Sequence, residues 1–366
     1  MEAPKIHYDH FLGVRPEVRR VIAQALNGDI SSLQRSVMIQ GSYRPSLAIS
    51  LQASYQYAHC GQQVYVVGPK YQRMFADTPC DHIPDVFFKL PHDCFYIALP
   101  NSDLMTWEPE FGYHQVAGLY VYRATPNDIL FIIWGKENEK AKEVGDDTLF
   151  WLRLEPDKTP ATVLDDGVRI LDLDQHVEDI ISDRENEVSD PGLSTPDEKR
   201  PEQIELARTI LRIAINTILH LNGDSADTER DTSRPARKKA KTKALRKKLA
   251  RKKNLRARDK RKAQVKLDSM SEAIVIWLGR KIENNPKIRV PRRGNGSGGT
   301  WLARKGHRHH YWVGKRHVNE EGKRVGERLI MKWVAPVYRM PGDPDAPTRE
   351  HRFIGEKEDY TDAPKG

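Results

Sequence analysis

The residues of this chain best equipped for chemistry lie in one run, Trp301-Leu302-Ala303-Arg304-Lys305-Gly306-His307-Arg308-His309-His310-Tyr311-Trp312-Val313-Gly314, where cations alternate with imidazoles and rings. On a β-strand, successive side chains point to opposite faces. His307, His309 and Tyr311 then share one face, and Arg308, His310 and Trp312 the other. The first face offers two imidazoles and a phenol, which suit phosphate contact or proton transfer. With Lys332 or Arg304 as a charge stabiliser, it has the parts of a metal-independent ribonuclease. As a metal site it offers His307 and His309, with no neighbouring Asp, Glu or Cys in sequence to complete a set. As a binding surface, Arg304, Lys305 and Arg308 meet phosphates while Trp312 and Trp333 stack bases. As plain structure, the run is a strand whose aromatics fill a small core. Binding combined with structure is the favoured reading, because no two groups are set up with pKa values driven apart. No metal and no cofactor is expected.

A second constellation is purely electrostatic. Residues 234–266 hold 18 Lys and Arg against one acid, among them Arg237, Lys238, Lys239, Arg246, Lys247, Lys248, Arg251, Lys252 and Lys253. Each cation that neutralises a phosphate releases a condensed counterion, which drives binding without base readout. From Arg237 to Lys266 the block lacks proline and is rich in Ala, Leu, Lys and Arg, so it is expected to be a long helix or arm that orders on RNA. The alternatives are a solvated insertion, or an arm folded back on the chain's own acids. Gly294 to Thr300 lacks the Lys-Ser/Thr of a phosphate-cradling loop and reads as a connector. Asp103, Glu108 and Glu110 do not make a catalytic pair by proximity in sequence, and Trp107 and Trp134 read as core or groove aromatics.

The elements that must carry these groups give an α+β fold class. Residues 1–92 read as mostly helical, with Pro16 to Leu26 closed by Gly28, a second helix from Pro45 to Tyr57, and a short strand at Val64 to Val67. Residues 93–155 read as an antiparallel meander: Cys94 to Leu99, then Ala117 to Tyr122 and Ile129 to Trp134 about a Thr125-Pro126-Asn127-Asp128 turn, then Leu149 to Leu154. Residues 156–200 are acidic and turn-rich and read as a linker or a loosely docked acidic surface. Residues 201–223 form a helix apolar around most of its circumference, hence buried. The basic arm covers 234–268. Residues 271–340 form a small β-rich part with strands at His309 to Gly314 and Leu329 to Tyr338, and 341–366 read as a disordered tail.

Composition bounds the class of protein. The chain has 366 residues, 38% of them hydrophobic, with a net charge of +9. That figure conceals a polarity: residues 1–233 carry 22 Lys and Arg against 37 Asp and Glu, whereas 267–366 carry 20 against 13. Such polarity concerns partners more than fold. No run of 18 apolar residues occurs, and the first residues lack a signal-peptide core, so a cytoplasmic location is expected with no membrane partner. Three cysteines, Cys60, Cys80 and Cys94, without a C-x-x-C pair, fit buried thiols in a reducing compartment.

These residues also carry a resemblance. Arg304 to Gly314, followed by Lys332-Trp333-Val334-Ala335-Pro336-Val337, resembles the R-x-G-H-x-H-x-Y-W-x-G … R-W-x-P ending of the second-named type V-A anti-CRISPR protein family. Asp77-Thr78-Pro79, Phe88-Lys89-Leu90-Pro91 with Cys94-Phe95-Tyr96-Ile97, and Val116-Ala117-Gly118-Leu119-Tyr120 resemble further segments of that family. The likeness runs over residues 15–340, and G-H-x-H-x-Y-W is its most specific part. There are two departures: Leu302 stands where the family has another histidine, and 234–266 enlarges a short connection.

The resemblance implies a phage- or plasmid-encoded inhibitor of a type V effector nuclease that acts on the effector's production. It would recognise the nascent N-terminal peptide during translation, after which the message is lost. Partners would then be that peptide and, through the basic arm, RNA or the ribosome. The acidic front suits a lysine-bearing peptide. A ribonuclease using His307, His309, Tyr311 and Lys332, and a nucleic-acid-binding protein without a peptide target, are the alternatives.

Overall fold

The computed structural model describes residues 7–9, 16–43, 45–108, 112–126, 128–136, 148–164, 168–186, 200–223, 227–231, 273–284, 301–304, 306–314, 317–318, 324–325 and 328–339. The basic segment 234–268, the loop 294–300, the tail 341–366 and Lys305 lie outside them, so every cation named between Arg237 and Lys253 lies outside too.

The fold is α+β. Helices α1 (Pro16–Leu26), α2 (Ile30–Tyr43) and α3 (Pro45–His59) precede strand β1 (Gln63–Val67) and helix α4 (Pro69–Ala76). The short β2 (Ile83–Pro84) follows, then β3 (Cys94–Ala98), β4 (Met105–Glu108), β5 (Gly112–Thr125), β6 (Asp128–Lys136) and β7 (Thr148–Leu154). Next come β8 (Ala161–Val163), β9 (Arg169–Leu171), α5 (Leu173–Asn186), α6 (Arg200–Asn222), β10 (Thr228–Arg230), β11 (Ile274–Leu278) and the short α7 (Arg280–Glu283). The C-terminal strands are β12 (Trp301–Arg304), β13 (His307–Val313), β14 (His317–Val318), β15 (Arg324–Val325), β16 (Arg328–Val334) and β17 (Val337–Arg339).

The main sheet runs β10-β11-β1-β3-β5-β6-β7, with β4 pairing β5. The expected meander forms its antiparallel half. Its other half is built on β1, which pairs in parallel with both β3 and β11. Residues 274–278, read in sequence with the C-terminal part, are thus an inner strand of this sheet.

Both faces are covered, and strand alternation shows it. Tyr65, Val67, Phe95, Ile97, Leu119, Val121, Phe131 and Ile133 pack into one core with α4, α5 and α6. Their neighbours Val64, Val66, Tyr96, Tyr120, Ile132 and Trp134 pack into a second core with the helices of 16–59. A strand buried on both faces loses the polar alternation of a half-exposed one, which is why these runs read as continuously apolar. Helix α1 turns Val18, Ile22 and Ala25 inward at helical spacing, and Gly28, at φ +103°, ends it in the left-handed region.

The acidic linker expected over 156–200 needs correction. Residues 173–186 form a helix whose Leu173, Val177 and Ile181 are buried in the first core. The spacing of these three, with Ile180, is that of one helix face, and the surrounding acids mask it in composition. Two of those acids are tied to α6: Glu178 holds Arg208 through paired bonds of 2.6 and 2.7 Å, and Asp174 accepts from Arg212 at 3.0 Å.

Candidate functional site

Strands β13 and β16 form an antiparallel ladder of seven pairs, from His307 opposite Val334 to Val313 opposite Arg328. Residues paired across such a ladder share a face. Arg308 and Trp333 therefore lie on one side, and His309 and Lys332 on the other.

The first side is turned into the protein. Trp333 is 2% exposed and meets Tyr71, Phe75 and His220 edge-on, with ring centroids 5.0–5.7 Å away. Its indole N–H donates to Thr78 Oγ1 at 3.2 Å, and that hydroxyl donates to Met74 O at 2.7 Å. Beside it the Arg308 guanidinium donates to Asn216 Oδ1 at 2.9 Å and to the Asn216 carbonyl at 3.0 Å. The Asn216 amide donates to Phe75 O at 2.9 Å and Thr78 O at 2.8 Å, and lies 3.1 Å from Cys80 Sγ. One asparagine thus joins α6, the turn after α4 and the C-terminal hairpin. Burial pulls the pKa of Arg308 down to about 10, which leaves it a cation at neutral pH.

Gly306 shows how close this approach is. A Cβ there would overlap Thr78 Oγ1 and come within 2.9 Å of Pro336 Cδ. Asp77-Thr78-Pro79, Gly306, Arg308, Trp333 and Pro336, far apart in sequence, thus meet in one clasp. A smaller clasp anchors the other end of α4, where Glu283 accepts from the backbone N–H of Lys70 at 2.6 Å and Tyr71 at 3.0 Å. A carboxylate at a helix N-terminus satisfies amides that have no partner within the helix.

Two expected nucleic-acid contacts are corrected by this placement. Trp333 is sealed in the core and cannot stack on a base, and Arg308 turns Nε and one terminal nitrogen to Asn216. Trp312 shares the Arg308 face and is half-buried. Arg304 ends β12, which pairs β17. The sequence reading missed Asn216, Thr78 and His220. The available signal was polarity on an apolar helix: Asn216, Thr217 and His220 interrupt Ile210 to Leu221, and a polar group in such a stripe requires a partner.

The second side gathers the groups with chemical capacity. His307 Nε2 and His309 Nε2 stand 2.9 Å apart, with ring planes at 81°. The Lys332 ammonium lies 5.9 Å from the centroid of the Tyr311 ring. His309 is exposed, and His307, Tyr311 and Lys332 are half-buried. At 2.9 Å one imidazole donates and the other accepts. Among the described residues no group of three or more His, Cys, Asp or Glu gathers as for a metal. No helix among them is long and apolar enough to cross a membrane.

The three thiols are free. Burial raises the pKa of Cys80 and Cys94, which makes both poor nucleophiles. No curated protein matches the chain. A family model described as the anti-CRISPR type V subtype A2 family matches residues 65–338. The matched span takes in the sheet strands, the α4–α6 layer and the clasp, and leaves α1 to α3 outside. The chain belongs to the anti-CRISPR type V subtype A2 family.

Proposed function

We propose that the chain lowers production of a type V effector nuclease by recognising the effector's nascent N-terminal peptide during translation, with residues 234–266 engaging RNA or the ribosome. The family match over 65–338 carries this reading. Two further facts support it. Half of the shared C-terminal motif serves the clasp, so the motif as a whole is not laid out as a catalytic set. The charge polarity supplies an acidic front for a basic peptide and a cationic segment for phosphates.

The test is a reporter carrying the effector's first codons, expressed with and without the inhibitor. The reporter message falls when the N-terminal peptide is present and recovers when those codons are changed to encode other residues. Recoding with synonymous codons leaves the fall intact, because the peptide is the determinant. A fall that follows the nucleotide sequence instead sinks the proposal. Deleting 234–266 flattens the salt dependence of RNA binding by about 0.7 in log–log slope for each single-strand phosphate that the segment neutralises.

A ribonuclease remains the second reading, favoured by the convergence of His307, His309, Tyr311 and Lys332 on one face. RNA cleavage in EDTA, abolished by both His307→Ala and His309→Ala, is its signature.

A further inference from the structure

The geometry points to a metal site that the proposed function does not use: His307 and His309 form a two-imidazole chelate for a divalent transition ion, copper(II) or nickel(II) in preference to zinc(II). Residues two apart on β13 share a face, and here the two Nε2 atoms stand 2.9 Å apart. Imidazole nitrogens bind such ions at about 2.0–2.1 Å. Two such bonds at a right angle place their nitrogens about 2.9 Å apart, whereas a tetrahedral angle spreads them to about 3.3 Å. The pair is therefore pre-set for the right-angled positions of a tetragonal or octahedral ion and must open for zinc. Copper(II) also heads the order of intrinsic affinity among divalent first-row ions.

Access and surroundings agree. His309 is exposed, so an ion reaches the pair without local unfolding. Metal on Nε2 leaves Nδ1 of each ring to carry the proton, the tautomer a neutral ligand needs. His310 faces the other side of the strand and cannot join. Among the described residues no third His, Cys, Asp or Glu joins the pair. Lys332 stands directly across from His309, and its ammonium lies toward the Tyr311 ring. That charge opposes a cation bound at the pair, whereas it would favour a phosphate there.

The experiment uses the full chain, stripped with chelator and dialysed, and titrated with copper(II) while calorimetry and electron paramagnetic resonance are recorded. The wild type shows one tighter site with nitrogen hyperfine structure from two imidazoles, above any weaker background from other histidines. His309→Ala removes that site, weakening it by more than the ~10–100-fold cost of losing an outer partner that only orients a ligand. His307→Ala does the same, and Lys332→Gln tightens it. His309→Ala alters only an exposed ring, so the test stands even if His307→Ala folds poorly. A wild-type chain without a two-nitrogen copper signal, or one that His309→Ala leaves unchanged, overturns the proposal and leaves the pair as an imidazole–imidazole hydrogen bond.

Discussion

The two faces of strand 307–313 differ more from each other than the strand differs from the rest of the protein. On one, Arg308 is locked to Asn216 and its cross-strand neighbour Trp333 is buried among Tyr71, Phe75 and His220. On the other, two imidazoles meet within hydrogen-bonding distance and a lysine approaches a phenol ring. Both faces are basic and aromatic in sequence, so composition assigns them alike. Packing separates them: Arg308 and Trp333 meet α4 and α6, while the other face, with Ile330 and Val334 buried along it, keeps His309 exposed. A shared motif on a strand is therefore two interleaved motifs of period two.

The largest losses of stability are expected at the clasp. Trp333→Ala removes a fully enclosed ring and should cost about 3–5 kcal/mol, the range for large aromatics in cores. Asn216→Ala takes the Oδ1 acceptor from Arg308, which keeps only the backbone carbonyl of residue 216, and removes the amide donor from the Phe75 and Thr78 carbonyls, at about 1–3 kcal/mol in all. Urea melts of the full chain check both. If either variant unfolds at the wild-type midpoint, the inward face is not what holds the hairpin.

A pH titration of stability sharpens the same contrast. His220 is 2% exposed, its Nε2 has no hydrogen-bond partner among the described residues, and burial lowers its pKa to about 3, with Arg308 pushing the same way. Its unfolded value lies near 6.5. Between these values the unfolded chain binds the proton and the folded chain does not, so stability is full above about pH 6.5 and falls with pH down to about 3. The slope is at most about 1.4 kcal/mol per unit. His176, whose Nε2 accepts from the Glu155 N–H and whose pKa burial also lowers, adds to it with the same sign. Denaturant melts between about pH 7 and 4.5 on the wild type and on His220→Phe test the assignment. A variant that retains the full slope refutes it.

Gly306→Ala is the next smaller step. Its added methyl meets Thr78 and Pro336 where neither has room, and overpacking of that kind costs about 1–3 kcal/mol. A compensating Thr78→Ser change should not restore it, because the overlap is with Oγ1, which serine keeps. Melting of the single and double variants decides the point.

How much of this was legible in the sequence follows from which interactions are local. Helix Pro16–Leu26, the Ile129–Trp134 strand and the period-two split of 307–313 are local patterns, and the structure follows them. Strand 274–278 was misplaced because pairing with β1 joins residues about two hundred positions apart, and nothing in five apolar residues names a partner. Helix 173–186 was hidden by acids that read as solvent-seeking until Arg208 and Arg212 are brought beside them. The site split the same way. Alternation placed His307, His309 and Tyr311 together, but which face was buried depended on Asn216 and Thr78, which only the tertiary fold brings there.

The smallest expected effect on stability is the most informative about function. His309→Ala removes an exposed ring that packs against His307, and such surface changes usually stay within about 0.5 kcal/mol. If the outer face is reserved for a ligand, this variant melts with the wild type yet loses the ligand, be it copper or RNA. Those ligands separate through Lys332: replacing its charge with glutamine strengthens a bound cation and weakens a bound phosphate, two opposite signs from one substitution. A variant at His309 that destabilises the chain as strongly as Trp333→Ala would show that the outward face, too, is structural, and the division between the two faces of the strand would no longer hold.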